Sequence, residues 1–522
     1  MQRLALPAWA APAAPSPADD SGLRLRLTAF RFSLNSRFSA QRLGGLLDDL
    51  LGLELGLSGL QAAADRITAF YRQQGYFLAL AFVPAQDIAD GVVEITVLEG
   101  RLGQVRLDNQ SGIADAIVRG RLAPLQPGQP LAADTLERSL LLINSLAGAQ
   151  VQSTLTPGAS VGTSDLDIRV DALPRTAVSI GLDNYGNRFS GAWRAHAALS
   201  VNSPLDSGDA LSLQTTRAGP LFQHARLAYQ WPLGQHGLQV GAAGSAMAYR
   251  LGHGFAALQA HGRADIASVY ALWPWLSARN LNVKLQVNVE HKRLADRTDS
   301  VNSASDKTVD ALILGGSGDR VDGLGGSGAS SWSLSLTNGR LRLDAPAAAG
   351  ADTGQRTGGR FAKLSWLAAR QQQLPVLGAD WSLWAQFSGQ ASLPQPATGD
   401  AARNLDSSEK FSLGGAQGVR AYPQGEAPAD DAWLATIELR RALGSAWQLS
   451  GFVDTAMGRP SHTAAAPDDA NLRRLSGVGL GSSYVQPGGL SWGATVAWRT
   501  SGPPRSDHDR SPRLWSSLQQ QF

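Results

Sequence analysis

Phe411-Ser-Leu-Gly-Gly-Ala-Gln-Gly-Val-Arg-Ala-Tyr-Pro-Gln-Gly-Glu426 decides how this chain is read. It places one arginine, Arg420, and one tyrosine, Tyr422, on a glycine-rich loop between two alternating segments. Upstream, Trp381, Leu383, Ala385 and Phe387 alternate with Ser382, Trp384, Gln386 and Ser388. Downstream, Trp433, Ala435, Ile437 and Leu439 alternate with Thr436, Glu438 and Arg440. A period of two with one apolar face marks strands, and repeated along a chain it marks the wall of a membrane barrel. A loop between two such strands has a lumen to enter. An arginine buried there needs a carboxylate. The next predicted strand offers one: Trp447, Leu449, Gly451 and Val453 would face lipid, while Gln448, Ser450, Phe452 and Asp454 would face the lumen. Asp454 is therefore on the side that an inward-folded loop reaches.

These residues resemble the signatures of the Omp85 superfamily, and within it of the outer-membrane transporters of two-partner secretion, the haemolysin secretion/activation type ShlB/FhaC/HecB. Val419-Arg420-Ala421-Tyr422 is similar to that family's Val-Arg-Gly-Tyr loop, with Gly414, Gly415, Gly425 and Glu426 around it. Gly451 to Gly458 is similar to its Phe-x-Asp-x-Gly strand, with Phe452 and Asp454 as the lumenal partners of the loop. Ala421 and Ala456 stand where the family has glycine, so the loop tip is expected to sit differently. The resemblance implies an inward-folded loop, here over residues 392–432, that narrows a pore.

Composition bounds the class independently. The chain has 522 residues, 17% of them charged, and no apolar run of 18, so helices that span a membrane are excluded. A spanning chain must then be a closed barrel. Thirteen of the fourteen tryptophans fall at or after Trp193, where interfacial girdles would need them. A formal net charge of +3 argues against nucleic acid as a partner. With no cysteine, disulfide and thiolate-metal chemistry are both excluded. The eight histidines show no metal-site spacing, and no cofactor is called for.

The first 22 residues read as a signal remnant or linker, and Pro7, Pro12, Pro15 and Pro17 leave no room there for the pore-plugging helix that family members often carry. From residue 23 to about 101 the pattern is strand, helix, helix, strand, strand. A helical stretch runs from about Ser39 to Leu51. The next helix starts at Ser58, with Gln61 completing a capping box, and shows Leu60, Ala63, Ile67 and Phe70 on one face before Gly75 ends it. Tyr76 to Val83 and Val92 to Leu98 are predicted to pair around Asp90-Gly91. The same order recurs over residues 102–173, with Leu136, Leu140 and Ile143 on a helical face, Gly148 as its stop, and strands at Val151 to Leu155 and Leu166 to Val170.

Each copy looks like a POTRA domain. Gln86, Asp87, Gly91, Glu99 and Gly100 follow the pattern of the first POTRA of two-partner transporters. Such a domain leaves a sheet edge open, to which an extended polypeptide can add as a strand. Residues 174–522 hold sixteen candidate strands, about 22 residues for each strand and its connection, in keeping with an outer-membrane barrel. The clearest is Leu281 to Glu290; Leu490 to Arg499 repeats it. Leu514, Leu518 and the terminal Phe522 share a face, and Phe522 resembles the sorting signal read by the barrel-assembly machinery.

Two further motifs are discounted. Gly158-Ala-Ser160-Val-Gly162 matches the hydrolase elbow, but lies in a strand-to-strand turn rather than a strand-to-helix one. The run Gly323 to Gly328 matches a dinucleotide fingerprint but reads as a mobile surface loop without a βαβ unit. No enzyme is expected. The resemblance implies two periplasmic α+β POTRA domains and a 16-stranded antiparallel transmembrane β-barrel in the bacterial outer membrane, surrounded by its lipid. That assembly would capture an unfolded, β-rich exoprotein and export it. An assembly factor for other barrels shares the fold but carries a longer POTRA array; a passive porin needs neither the periplasmic units nor the loop.

Overall fold

A computed structural model describes residues 24–344, 352, 356–394, 403–464, 471–508 and 510–522; the expected signal remnant or linker lies outside them. The chain divides into two compact units, the first holding the residues up to Leu173 and the second holding most of the remainder.

Within the first unit one small architecture occurs twice. The first copy has a strand Ala29–Ser33, helices Ala40–Gly44 and Leu57–Gln73, and strands Leu80–Phe82 and Val92–Leu98. Its sheet is centred on Val92–Leu98, parallel to Ala29–Ser33 and antiparallel to Leu80–Phe82. The second copy repeats this with Arg101–Asn109, helices Asp115–Leu122 and Ala133–Asn144, and strands Ala149–Pro157 and Thr163–Ala172, the last being central. Leu60, Ala63, Ala64, Ile67 and Tyr71 of the helix Leu57–Gln73 are buried against the sheet, and Gly75, at φ +92°, ends the helix. Leu136, Leu140 and Ile143 do the same in the second copy.

Three expectations are corrected here. The stretch from Ser39 to Leu51 is broken into the short helix Ala40–Gly44, capped by Ser39, and a 3-10 turn Asp48–Leu50, because Gly44 and Gly45 are poor helix formers. The next helix is capped by Gly56 without a side-chain bond, and Gln61 reaches Asp65 instead of forming a capping box. The strand foreseen from Tyr76 shrinks to Leu80–Phe82, because Tyr76 turns into the core and its hydroxyl accepts from Arg37 Nε at 2.8 Å.

The second unit is a closed barrel of sixteen antiparallel strands. It opens with Thr176–Asp183 and ends with Arg513–Gln521, which pair in the register Ser517↔Asp183 to Gln521↔Ser179; Phe522 and Val178 exchange main-chain hydrogen bonds just beyond. The foreseen alternation holds at its thirteenth strand, Trp447–Arg459: Trp447, Leu449 and Val453 are exposed on the outer face, while Phe452 and Asp454 are buried inside. The run from Gly323 lies between the strands Ser303–Asp322 and Gly328–Leu343, where Gly325 and Gly326 take positive φ and close a hairpin. The Ser160 motif lies in the turn between Ala149–Pro157 and Thr163–Ala172.

Candidate functional site

Between the eleventh barrel strand, Trp381–Leu393, and the twelfth, Asp431–Leu443, the chain folds back along inward-facing side chains. Its framework is local. The amides of Leu413 and Gly414 donate to the Glu426 carbonyl at 3.2 and 3.0 Å, and Val419 N donates to Leu413 O at 2.8 Å, drawing residues 413–426 into a knot. Gly414 has to be glycine: a Cβ there would lie 2.7 Å from Glu426 Cβ and 2.9 Å from Tyr422 Cβ. Gly415 and Gly425 take φ of +133° and +84°. Val419, Ala421 and Tyr422 are buried against Leu434, Phe452, Ala456, Leu475 and Ala497 of the wall.

Arg420 is the centre of this knot. Its Nε and Nη2 donate to the two oxygens of Asp454, each at 2.9 Å, its main-chain amide donates to the same carboxylate at 3.0 Å, and Nη1 donates to Glu438 Oε2 at 3.0 Å. Thr436 Oγ1 donates to Asp454 Oδ1 at 2.9 Å, and Arg440 Nε to the other oxygen of Glu438 at 2.9 Å. Two cations thus meet two anions, the arrangement that keeps burial of charge affordable. The guanidinium stacks on Phe452, 3.3 Å from the ring centroid. Trp515 Nε1 donates to the Arg420 carbonyl at 2.7 Å, so the last strand also holds the tip.

Further along, Tyr422 Oη donates to Gly502 O at 2.7 Å and meets Ser501 Oγ at 2.8 Å. Glu426, fully buried, accepts from Arg473 Nη2 at 2.6 Å, from the amides of Arg505 and Ser506 at 3.0 and 2.9 Å, and from the Ser506 hydroxyl. The loop is therefore tied both to the wall and to the hairpin before the last strand. Ala421, foreseen as a departure, lies against Gly477 of the fourteenth strand, Arg473–Val485; a Cβ on Gly477 would meet Ala421 Cβ at 2.5 Å. The methyl group that the loop carries is accommodated by a glycine in the wall.

The structure thus brings Gly414, Gly415, Val419, Arg420, Tyr422, Gly425 and Glu426 together with Phe452 and Asp454. Sequence reasoning missed Trp515 and the role of Glu438. Both were readable in principle, since Glu438 alternates with outward Ile437 and Leu439, and Trp515 with outward Leu514. Phe522 is elsewhere, just beyond the last strand, with its side chain exposed.

The POTRA-like motif forms a separate group, and its chemistry is inward. The Gln86 amide accepts from Glu94 N and donates to Glu94 O, both at 2.8 Å, extending the sheet where the strand Leu80–Phe82 has ended. Gly91, at φ +72°, lies where a Cβ would be 2.4 Å from Arg26 O. Glu99 is buried and accepts from the amides of Ser36 and Arg37 at 2.7 Å, from Tyr71 Oη at 3.0 Å and from the Ser36 hydroxyl. Burial alone would push its carboxyl up, but the Ser36 hydroxyl and the Arg37 and Ser36 amides outweigh it and hold it below the usual range. Gly100, at φ +69°, packs so closely on Leu78 that a Cβ would be 2.3 Å from Leu78 Cβ. Asp87 is exposed. Among the described residues no three His, Asp or Glu converge to hold a metal ion.

The family described as "Haemolysin secretion/activation protein ShlB/FhaC/HecB" matches residues 162–484, and "POTRA domain, ShlB-type" matches residues 25–100. The chain is 27% identical over 477 residues to the heme/hemopexin transporter protein HuxB of Haemophilus influenzae (strain 86-028NP), covering 89% of this chain and 81% of that one. It is 35% identical over 161 residues to the outer membrane transporter CdiB of Escherichia coli O6:K15:H31, covering 30% of this chain and 26% of that one. The solved structure of CdiB from Escherichia coli superposes with a TM-score of 0.75 at 21% identity, covering 98% of this chain and 93% of the other; at that identity the likeness speaks for the fold.

Proposed function

This chain belongs to the haemolysin secretion/activation protein family ShlB/FhaC/HecB, and we propose that its two POTRA-type units capture one unfolded, β-rich partner protein and pass it into the barrel. It is an outer-membrane transporter of two-partner secretion, with its POTRA region in the periplasm. Each small sheet ends in an edge strand, Ala29–Ser33 in the first and Arg101–Asn109 and Ala149–Pro157 in the second, to which an extended segment can add through main-chain hydrogen bonds. Recognition of that kind tolerates many sequences. Gln86, Gly91, Glu99 and Gly100 contribute by shaping the unit rather than by touching cargo, since each is spent on its own backbone or core.

The observation that carries the reading is the Arg420–Asp454–Glu438 assembly, which holds a loop against the inward side of a sixteen-stranded barrel wall. A passive pore has no use for it. The chain does transport and carries out no catalysis; export is driven by folding of the partner outside and by its blocked return. We assign Phe522 to recognition by the barrel-assembly machinery, and the outward faces of the strands to outer-membrane lipid. Arg420→Ala tests the proposal: the exported partner should fall in the medium while the barrel remains inserted. Export at the unaltered level would overturn the role given to the loop. Binding of residues 24–173 to the N-terminal region of the partner tests capture separately.

A further inference from the structure

The chain holds five lysines against 41 arginines, so lysine is used sparingly. Four of the five converge on one short stretch, the limb of the inward loop that precedes Phe411. Lys292 of the seventh strand (Leu281–Thr298) and Lys363 of the tenth (Gly359–Gln373) hold the two oxygens of Glu409 at 2.8 and 2.9 Å. Lys307 of the eighth strand (Ser303–Asp322) holds Asp406 Oδ2 at 2.8 Å. Lys410, on the limb itself, lies 3.0 Å from Asp430 Oδ1 and donates to Pro460 O. Glu290, 3.3 Å from Lys292, is the fourth carboxylate, so four cations meet four anions. Glu409 and Asp430 are almost wholly buried, and the four lysine side chains are between 13% and 17% exposed.

Lysine suits this place for a physical reason. Its ammonium carries three donors that can rotate onto unlike acceptors, as Lys363 does in holding both Glu409 Oε2 and Glu409 O, the latter at 2.8 Å. A planar guanidinium matches a carboxylate fork, as Arg420 matches Asp454, and has no such freedom. The limb is otherwise pinned by Gln390 Nε2, which donates to Glu409 O at 3.0 Å, and by Leu405, which packs on Val309, Leu341 and Phe361.

We propose that Lys292, Lys307 and Lys363 are positioning residues that clamp the incoming limb of the loop to the seventh, eighth and tenth strands independently of Arg420, and that Lys410 ties the same limb to Asp430 and Pro460, beside the twelfth and thirteenth strands. The loop then has two anchors of different chemistry. The guanidinium anchor at the tip can open while the ammonium anchor at the stem stays shut, so the tip swings on a fixed hinge instead of leaving the barrel.

Lysine acylation of the full chain in detergent, read peptide by peptide by mass spectrometry, tests this without any cargo, so its outcome is separate from that of the secretion reading. Lys284, exposed on the seventh strand, is the internal reference. In the unaltered protein the four clamped lysines should acylate about tenfold more slowly than Lys284, or slower still. Arg420→Ala should leave that protection within about twofold of its original value. Glu409→Gln should expose Lys292 and Lys363 but not Lys307, and Asp406→Asn should expose Lys307 alone. Heat-modifiable migration on gels reports whether each variant has folded; for one that has not, the unaltered protein and Arg420→Ala still decide. Acylation of all five lysines at one rate, or loss of protection at all four together in Arg420→Ala, overturns the proposal.

Discussion

Arg420→Ala would leave Asp454 and Glu438 facing each other without the guanidinium that joins them, a loss of about 3–5 kcal/mol for a broken buried pair. Arg420→Lys keeps the charge but cannot span both oxygens of Asp454 and reach Glu438, so export should recover only in part. Gly477→Ala would drive a methyl group into Ala421, and the temperature at which the barrel loses its compact gel migration should fall. Ala421→Gly in the same chain should restore it. A double variant as labile as Gly477→Ala alone would show that the two positions are not complementary. At this scale the pair Arg420 and Asp454 was legible, because alternation gives the face of Asp454 and the resemblance gives the loop. The inward face of Trp515 follows from its alternation with Leu514, but its partner does not, because that is a carbonyl 95 residues away that no local pattern reports.

The small α+β elements are governed by a few backbone positions and one acid. Because Glu99 is held below the usual carboxylate range when folded, the unfolded chain binds the proton first as pH falls. Its contribution is fully present above the unfolded value of about 4.3 and is lost as pH drops through the lower folded value. Thermal unfolding of residues 24–173 should therefore show a midpoint that declines between about pH 5 and pH 3. Glu99→Gln should flatten that decline, and an identical profile in the variant would remove Glu99 as its source. Gly100→Ala, strained at φ +69° and crowded by Leu78, should cost about 2 kcal/mol or more in the same assay. Helix faces such as Leu136, Leu140 and Ile143 were readable from their spacing. The early end of the helix Ala40–Gly44 follows from Gly44 and Gly45, a local signal that the expected longer stretch passed over, whereas the short strand Leu80–Phe82 was not readable, since it is set by Tyr76 turning into the core.

For the molecule as a whole, the loop packs on inward-facing side chains of the wall and is expected to narrow the bore. Deleting residues 411–426 should raise single-channel conductance in planar bilayers, and an unchanged conductance would mean that the loop does not set the bore. By itself the sequence determined the membrane mode, a barrel of sixteen strands and, for the strands whose alternation is strict, such as Leu281 to Glu290 and Trp447 to Asp454, which face is turned outward. These follow from a local rule: in hydrocarbon every backbone group must be paired and every second side chain must be apolar. It also determined that Arg420 would need an acid, since a buried charge cannot stand alone. Only the tertiary structure decided which strands and connections would supply the other partners: Glu438 and Trp515 at the tip, Arg473 and Ser506 at Glu426, and four scarce lysines at the stem. Those contacts join residues up to more than a hundred positions apart, and their geometry exists only once the barrel has closed and the loop has entered it.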